Sequence, residues 1–285
     1  MKRNNNVRRI LIPLLIIFFV LIIVSAVLFL WYTFSGNYIE ISNVDNKAYD
    51  ATTANSADAD IIITNGVVLG ASKNTSWIGA NNFYEANNNK QEFDVTLFSE
   101  NKEFGTFKTA RLKRYDGNVV YTTIAKESLP SKYIAVGGEV SKILPGMTKL
   151  EATKDDEKYV KDAIGSYKLV NGSVKVTEVY LTNINQTTDK IICATSKSAN
   201  MLGVYSAVIY VTGNEAYLVK YSYVRDTDNA DRWPIYSLQF VMDLNNDEKP
   251  EIVLEEITGN DVKYSVLELR DNNVFYEVLS AKVEI

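Results

Sequence analysis

The hydrophobic positions of the chain follow two different patterns. Residues 10–30 form an apolar run without a single charge. As a helix rising 1.5 Å per residue, the run is long enough to cross a hydrocarbon layer of about 30 Å. From about residue 59, short β-branched and aromatic runs alternate with Asn-Gly, Asp-Gly and Gly-Gly pairs, which is typical of hairpins. The pattern predicts a transmembrane helix followed by a mainly-β region of propeller-like or sandwich-like antiparallel sheets.

The residues that flank the apolar run give it an orientation. Four basic residues precede it, namely Lys2, Arg3, Arg8 and Arg9, and Trp31 and Tyr32 follow it. Basic residues stay on the cytoplasmic side, and amphipathic rings prefer the membrane interface. We therefore expect a cytoplasmic tail over residues 1–9, a transmembrane helix over residues 10–32 in contact with lipid, and the remainder outside the plasma membrane.

A cleavable signal peptide is the competing interpretation of this segment. Val24, Ser25 and Ala26 offer the small residues that a signal peptidase needs, but the apolar run continues past them to Leu30. Its length exceeds the usual apolar region of a signal peptide, about 7 to 15 residues. The length favours an uncleaved signal-anchor. Residues 33–58 then form a linker, since their second half is polar and lacks apolar periodicity.

One helix is expected among the strands. Thr153 and Asp156 have the spacing of a capping box, and apolar residues recur after them at helical intervals, at Val160, Ala163, Ile164 and Tyr167. We expect this single short helix to separate a β module over residues 59–148 from a second part over residues 149–285.

Composition excludes several classes of protein. The chain carries 30 basic and 35 acidic residues, a net charge of −5, and four of the basic residues lie in the first nine, which leaves −9 for the rest. An acidic domain of this kind repels nucleic acid. There is no histidine, so the usual base of a hydrolytic triad is missing. The one cysteine, Cys193, lies in an apolar strand pattern, where a buried inert thiol is the natural expectation.

The C-terminal part contains an internal repeat. Asn183, Asn185 and Thr187 fall on Asp243, Asn245 and Asp247 at an offset of 60 residues, and the apolar runs that follow them also align. Each unit would comprise a polar loop, a strand and a hairpin. Chance similarity between tyrosine-rich hairpins is the alternative.

The second loop, VMDLNNDEKPEIVLEE, resembles the calcium loop of FG-GAP (VCBS-type, integrin-like) repeats. The resemblance implies Ca²⁺ ligation by the side chains and carbonyl of an alternating set: Asp243, Asn245, Asp247, the Lys249 carbonyl and Glu251. Alternating oxygen ligands of this kind suit a hard cation. The family is typical of bacterial surface proteins with propeller-like repeats.

The loop departs from the family pattern in two places. Glu248 stands where glycine usually supplies a positive φ, and Asn245 replaces a charged ligand. The aligned loop of the first unit has no carboxylate at Asn183, Asn185, Thr187 or Ile191. The first loop is therefore not expected to bind a divalent ion, and a solvated acidic turn is the alternative for the second.

These observations predict a non-catalytic, membrane-anchored cell-surface protein that binds a partner or serves as a scaffold for it. Its partner would be a cell-wall polymer or another surface protein. No catalytic residue and no further cofactor is predicted. A carbohydrate-active or cell-wall-modifying enzyme that works with carboxylates, or an accessory subunit of a membrane complex, are the alternatives.

Overall fold

The computed structural model describes residues 22–25, 38–42, 58–100, 102–115, 119–125, 128–138, 147–169, 172–185, 188–197, 204–224, 233–270 and 273–284. Residues 22–25 are helical. The rest of the predicted transmembrane helix over residues 10–32, and most of the linker over residues 33–58, lie outside the described residues. The linker prediction is wrong for Tyr38–Ser42, which form a strand. Within the described part, no helix combines the length and the apolar character needed to span a membrane.

Residues 39–285 form one compact unit. Its described residues are mainly β, as predicted. The described strands are β1 (Tyr38–Ser42), β2 (Asp60–Thr64), β3 (Val67–Lys73), β4 (Ser76–Gly79), β5 (Asp94–Ser99), β6 (Lys102–Lys108), β7 (Lys113–Tyr115), β8 (Val119–Tyr121), β9 (Ile134–Gly137), β10 (Thr148–Leu150), β11 (Lys175–Thr182), β12 (Asp189–Lys197), β13 (Val204–Thr212), β14 (Glu215–Val224), β15 (Ile235–Met242), β16 (Glu251–Thr258), β17 (Asp261–Leu269) and β18 (Phe275–Glu284). The helices are α1 (Ala80–Asn87) and α2 (Lys154–Ser166).

The strands form three sheets. Sheet I has the order β6-β5-β9-β2-β3-β8-β7, with β4 paired to β3. Sheet II has the order β1-β14-β13-β12-β11-β10, and sheet III the order β15-β16-β17-β18. Neighbouring strands whose register the structure gives run antiparallel, as in the pairs β12–β13 and β16–β17.

Sheet III lies between the other two sheets. One of its faces packs on sheet I through residues such as Phe240 and Val266 against Leu69 and Ile134. Its other face packs on sheet II through residues such as Leu254 and Leu267, with Cys193 among the side chains that meet them. Because both faces of sheet III are covered, its strands are rich in continuous buried apolar residues rather than in a strict alternation of apolar and polar ones.

Each helix covers an outer face of the stack. Helix α2 begins at the predicted capping box, in which Thr153 and Asp156 exchange hydrogen bonds, and buries Val160, Ala163 and Ile164 against sheet II. Tyr167 was expected in the same stripe, but the helix ends at Ser166 and Tyr167 is 43% exposed.

Helix α1 corrects the prediction of a single helix. It buries Phe83 on the outer face of sheet I beside Phe93. Local sequence signals for this helix are weak, because the segment is rich in asparagine and its first turn lacks a side-chain cap at Gly79.

Sheets II and III contain two meanders of the same plan. Strands β11 and β15 begin at residues 175 and 235, which are 60 positions apart, and each is followed by three antiparallel strands in chain order. In both meanders the register between the third and fourth strands shifts at a bulge, after Val208 in one and after Val266 in the other. The two segments that align in sequence therefore adopt the same succession of strands and turns.

Candidate functional site: the Asp243 loop

The candidate ligands lie in the loop between β15 and β16. Asp243 and Asn245 are buried, and Glu251, the first residue of β16, has no exposed surface. Sheet I covers this end of sheet III, where the Ser72 hydroxyl donates a 2.8 Å hydrogen bond to the Leu244 carbonyl oxygen. The carboxylates of Asp243 and Glu251 are thus held inside the protein rather than on a solvated turn.

Side-chain oxygens of the loop accept hydrogen bonds from its own backbone. Asp243 accepts from the amides of Asp247 at 3.2 Å and Glu248 at 3.0 Å, and Asn245 Oδ1 accepts from Asp247 at 3.0 Å. Asp247 Oδ1 accepts from the Lys249 amide at 2.9 Å. Such bonds from a side chain to the backbone two or more residues on are the usual device by which Asp and Asn fix a turn.

Two residues of the loop have a left-handed backbone. Asn246 has a φ of 58° and Glu248 a φ of 68°. Asparagine tolerates this region, whereas for glutamate it costs about 1 to 2 kcal/mol. The expectation that Glu248 occupies a position suited to glycine is confirmed, and the hydrogen bond from its amide to Asp243 Oδ2 shows what holds the strained turn in place.

Glu251 has an incompletely satisfied carboxylate. Its Oε2 atom accepts a 2.8 Å hydrogen bond from the Leu244 amide, but its Oε1 atom is buried and has no hydrogen-bond partner among the described residues. Burial raises the pKa of Glu251 well above its usual value, and the nearby charges of Asp247 and Asp243 raise it further, against the Leu244 hydrogen bond. A buried oxygen of this kind favours either a proton or a cation.

The pKa of Asp243 is also raised, but less strongly than that of Glu251. Burial raises its pKa, the amide hydrogen bonds from Glu248 and Asp247 oppose the rise, and the charge of Asp247 adds to it. The loop therefore concentrates negative charge where water is scarce. Chemically, it can accept a positive ion or retain protons.

The predicted ligands differ in how the loop places them. Hydrogen bonds within one turn join Asp243, Asn245 and Asp247. Glu251 accepts a hydrogen bond from the Leu244 amide at the start of the loop, and Lys249 is exposed. In the part of the chain that the structure describes, no three or more Asp, Glu, Cys or His side chains are arranged to hold a metal ion together. Calcium ligation stays a prediction.

The loop between β11 and β12, which aligns with the Asp243 loop, contains a carboxylate that the sequence pattern did not indicate. Asp189 is fully buried and accepts hydrogen bonds from the Asn185 amide at 3.0 Å and the Tyr210 hydroxyl at 2.9 Å. At the offset of 60 residues it aligns with Lys249 rather than with Glu251, so the alignment does not place it at the position of a side-chain ligand. Thr187 lies outside the described residues.

A second group of side chains ties the neighbourhood of the loop to sheet I. Glu268 accepts a 2.8 Å hydrogen bond from Trp77 Nε1 and another of 2.8 Å from Arg270 Nε. Its charge contributes to the raised pKa of Glu251. Trp77 and Glu268 are 191 positions apart in sequence, so no local pattern could have indicated the contact.

The predicted state of Cys193 is confirmed. Its side chain is buried between sheets II and III, and burial raises the pKa of its thiol far above the usual value. Burial therefore favours the protonated form of the thiol.

Comparison with known proteins leaves the chain without an assigned family. No protein-family model matches the sequence, and neither a curated protein nor a solved structure shows significant similarity to it. The physical features of the loop and of the stacked sheets are thus the basis on which a function can be argued.

Proposed function

We propose that the chain is a single-pass plasma-membrane protein whose β domain binds or scaffolds at the cell surface without catalysis. The apolar run over residues 10–30 and the basic residues before it support the anchor, with the N-terminus in the cytoplasm. The acidic composition and the lack of histidine in the sequence support a non-catalytic domain that does not bind nucleic acid.

The observation that carries this proposal is the double burial of sheet III. Its two faces are packed against sheets I and II, and side-chain hydrogen bonds fix it to sheet I, including those from Asn65 to the Tyr264 hydroxyl at 3.2 Å and from Trp77 to Glu268 at 2.8 Å. Sheets that pack closely and are joined by side-chain hydrogen bonds in this way form a rigid support for loops. Rigid elements that present loops are a common basis for recognition.

The two meanders suggest the finer architecture. Successive four-stranded antiparallel sheets that stack face to face are the arrangement of neighbouring blades in a propeller. We infer that the two aligned segments, with first strands β11 and β15, are degenerate repeats of the FG-GAP (VCBS) type, and that the domain is propeller-like.

We further propose that Ca²⁺ binds the Asp243 loop. The fit rests on the unpartnered Oε1 atom of Glu251, next to the buried oxygens of Asp243 and Asn245. Asp247 and the Lys249 carbonyl would complete the set. The ion would neutralise a buried excess of negative charge and stabilise the connection between β15 and β16.

The carboxylates Glu255 and Glu256 do not work as a pair on one bond. Glu255 Oε1 accepts a 3.2 Å hydrogen bond from Gln239, whereas Glu256 lies 3.5 Å from the ammonium of Lys220 on β14. Neighbouring residues on a strand point to opposite faces. Their separate partners favour a structural role for both.

The binding proposal is tested with the full chain in detergent micelles. The protein is incubated with washed cell-wall material and, separately, with solubilised membrane proteins, and the bound and released fractions are analysed. We expect retention on the wall polymer or on a surface protein with no new products. Released saccharides or peptides would overturn the non-catalytic assignment in favour of an enzyme. Stable capture of a membrane complex alone would favour an accessory subunit.

A further inference from the structure

A groove on sheet I combines aromatic and basic side chains. It has a volume of about 500 Å³ and lies beside the β7–β8 hairpin and the turn at Gly66. The side chains that line it include Arg111, Lys113, Tyr115, Tyr121 and Thr123. This groove is separate from the Asp243 loop, and the mainly acidic composition of the chain gives no hint of it.

Strand alternation explains why these residues share the groove. Lys113 and Tyr115 are two positions apart on β7, so their side chains lie on the same face, while Arg114 between them lies on the other face. There Arg114 pairs with Glu85 of α1 and packs over the ring of Tyr84 at 4.8 Å. The charge on one face of β7 is therefore compensated within the protein, and that on the other face is directed into the groove.

The two tyrosines form a preorganised aromatic wall. The rings of Tyr115 and Tyr121 meet edge to face, with centroids 5.5 Å apart. Tyr121 is half-buried and packs against the core between sheets I and III, whereas Tyr115 is 58% exposed. The core thus holds the ring of Tyr121 in place. Tyr121 in turn positions the ring of Tyr115, which remains accessible to a ligand.

The two basic side chains that line the groove, Arg111 and Lys113, remain able to bind an anion. Arg111 Nε donates a 3.0 Å hydrogen bond to the Asn88 carbonyl oxygen, which orients the guanidinium. The two terminal amino groups of Arg111 remain able to donate hydrogen bonds to a ligand. Among the described residues, neither Arg111 nor Lys113 forms an ion pair, in contrast to Lys108, which pairs with Glu92. Two positive charges therefore face solvent beside an aromatic wall.

Backbone groups at the base of the groove are already used. The Ala110 amide donates to the Thr123 carbonyl oxygen at 2.7 Å, and the Thr122 amide donates to the Gly66 carbonyl oxygen at 3.0 Å. The Thr122 hydroxyl donates to the Ala110 carbonyl oxygen at 2.7 Å. These particular groups are not free to pair with the backbone of an extended peptide, so polar contacts at the base of the groove fall to side chains.

We propose that this groove binds an anionic glycan. Sugar rings would stack on Tyr115 and Tyr121, the acidic substituents would pair with Arg111 and Lys113, and the exposed Thr123 would accept or donate hydrogen bonds to hydroxyl groups. The inference deepens the proposed surface-binding function by naming a ligand class and a site. It requires neither the membrane anchor nor calcium.

Binding to short polygalacturonate oligomers, measured by calorimetry on the full chain in detergent micelles, tests the proposal. We expect Tyr115→Ala to weaken binding about tenfold, the effect of losing about 1.4 kcal/mol. Arg111→Gln with Lys113→Gln should weaken it by at least as much and flatten its salt dependence. Two matched controls, Lys108→Gln on the same sheet and Tyr167→Ala at the end of α2, should bind like the wild type.

Two comparison ligands sharpen the result. Neutral maltohexaose should bind at least tenfold more weakly than the acidic oligomer, and so should poly-glutamate, which offers charge without sugar rings. Equal binding of poly-glutamate, wild-type affinity in the groove variants, or no binding of the acidic oligomer would each overturn the proposal. Groove-dependent binding together with no retention on wall material or on a surface protein would instead uphold the site and reject the wider proposed function.

Discussion

The hydroxyl of Ser72 donates a 2.8 Å hydrogen bond to the carbonyl oxygen of Leu244, 172 positions further along the chain. This bond joins β3 of sheet I to the loop that carries Asp243, and both partners are buried. The conformation of the loop is therefore coupled to the packing of sheet I on sheet III.

Substituting Ser72 with alanine should weaken that coupling. The Leu244 carbonyl would lose its buried donor, which costs about 1 to 3 kcal/mol. We expect a lower melting temperature, measured by differential scanning calorimetry on the full chain in micelles. Ser76→Ala, at an exposed position of β4, is the matched control and should leave the melting temperature unchanged. Equal effects of the two substitutions would contradict a specific role for Ser72.

Replacing Glu251 with glutamine should have opposite effects with and without calcium. In the presence of a chelator at neutral pH, the variant should be more stable than the wild type by about 1 to 3 kcal/mol, since it no longer buries a partly unpaired charge. With calcium added, the wild type should gain about 2.7 kcal/mol at a concentration one hundred times the dissociation constant, and the variant should gain less.

Urea unfolding with and without calcium measures both effects. Glu248→Gln changes an exposed carboxylate of the same loop and should respond to calcium as the wild type does. If calcium leaves the wild-type stability unaltered, the loop is a turn without an ion.

The pKa of Glu251 also predicts how stability depends on pH without calcium. Folding raises this pKa above 4.5, so the folded state holds its proton more tightly than the unfolded state. The resulting stability is present below pH 4.5 and is lost as the pH rises through the folded value. Between these limits, the wild type should lose stability relative to Glu251→Gln. A difference between the two proteins that does not change with pH would contradict this assignment.

Asp156 should show the opposite dependence. Burial raises its pKa, but hydrogen bonds from Lys190 and Thr153 and the charge of Lys190 outweigh burial, and the net pKa lies below 3.8. The stability that this carboxylate contributes is present above pH 3.8 and is lost as the pH falls through the folded value.

The substitution Asp156→Asn should cost about 1.5 to 3 kcal/mol at pH 7, the range for hydrogen bonds to a charged group, because Lys190 on β12 loses its 2.8 Å charged partner. The deficit should shrink below pH 3.8. Asp155→Asn, an exposed position in the same helical turn, should cost far less. Urea unfolding over a pH series gives the comparison, and a deficit of the same size at low pH would be inconsistent with the ion pair.

The proposed anchor predicts a mass and an orientation. The full chain should stay in the membrane fraction at its uncleaved mass of 32.0 kDa. Protease added to intact cells should remove a C-terminal tag and spare an N-terminal one. Mass spectrometry of the purified protein checks the first expectation. A product that begins near Val27 would instead show cleavage after Ala26 and a released domain.

Local signals in the sequence predicted part of this fold. The capping box at Thr153 was recognisable because its partners are three residues apart, and the positive φ of Glu248 was implied by the resemblance of the loop to the FG-GAP pattern, which has glycine there. Short runs of β-branched residues predicted most strands, because this signal is also local. In these places the interaction that decides the structure lies within a few residues.

Other features depend on contacts that no local pattern contains. The burial of Asp189 results from the Tyr210 hydroxyl on β13, and Trp77 meets Glu268 only after sheets I and III have packed. Helix α1 exists because Phe83 is buried on sheet I, although its asparagines favour turns. The groove at Tyr115 likewise required the pairing of β7 with β8. Tertiary packing decided each of them.

The position of sheet III also sets an order of events during synthesis. Sheet I is built from residues 60–137, but the strands that cover its inner face begin only at residue 235. About a hundred residues must therefore be made before Leu69 and Ile134 can be shielded by Phe240 and Val266. Contacts between such distant segments form slowly, and an uncovered sheet face invites aggregation in the meantime. Until residues 235 onward have been made, the nascent chain therefore exposes the apolar inner face of its first sheet, a stage at which a chaperone would limit aggregation.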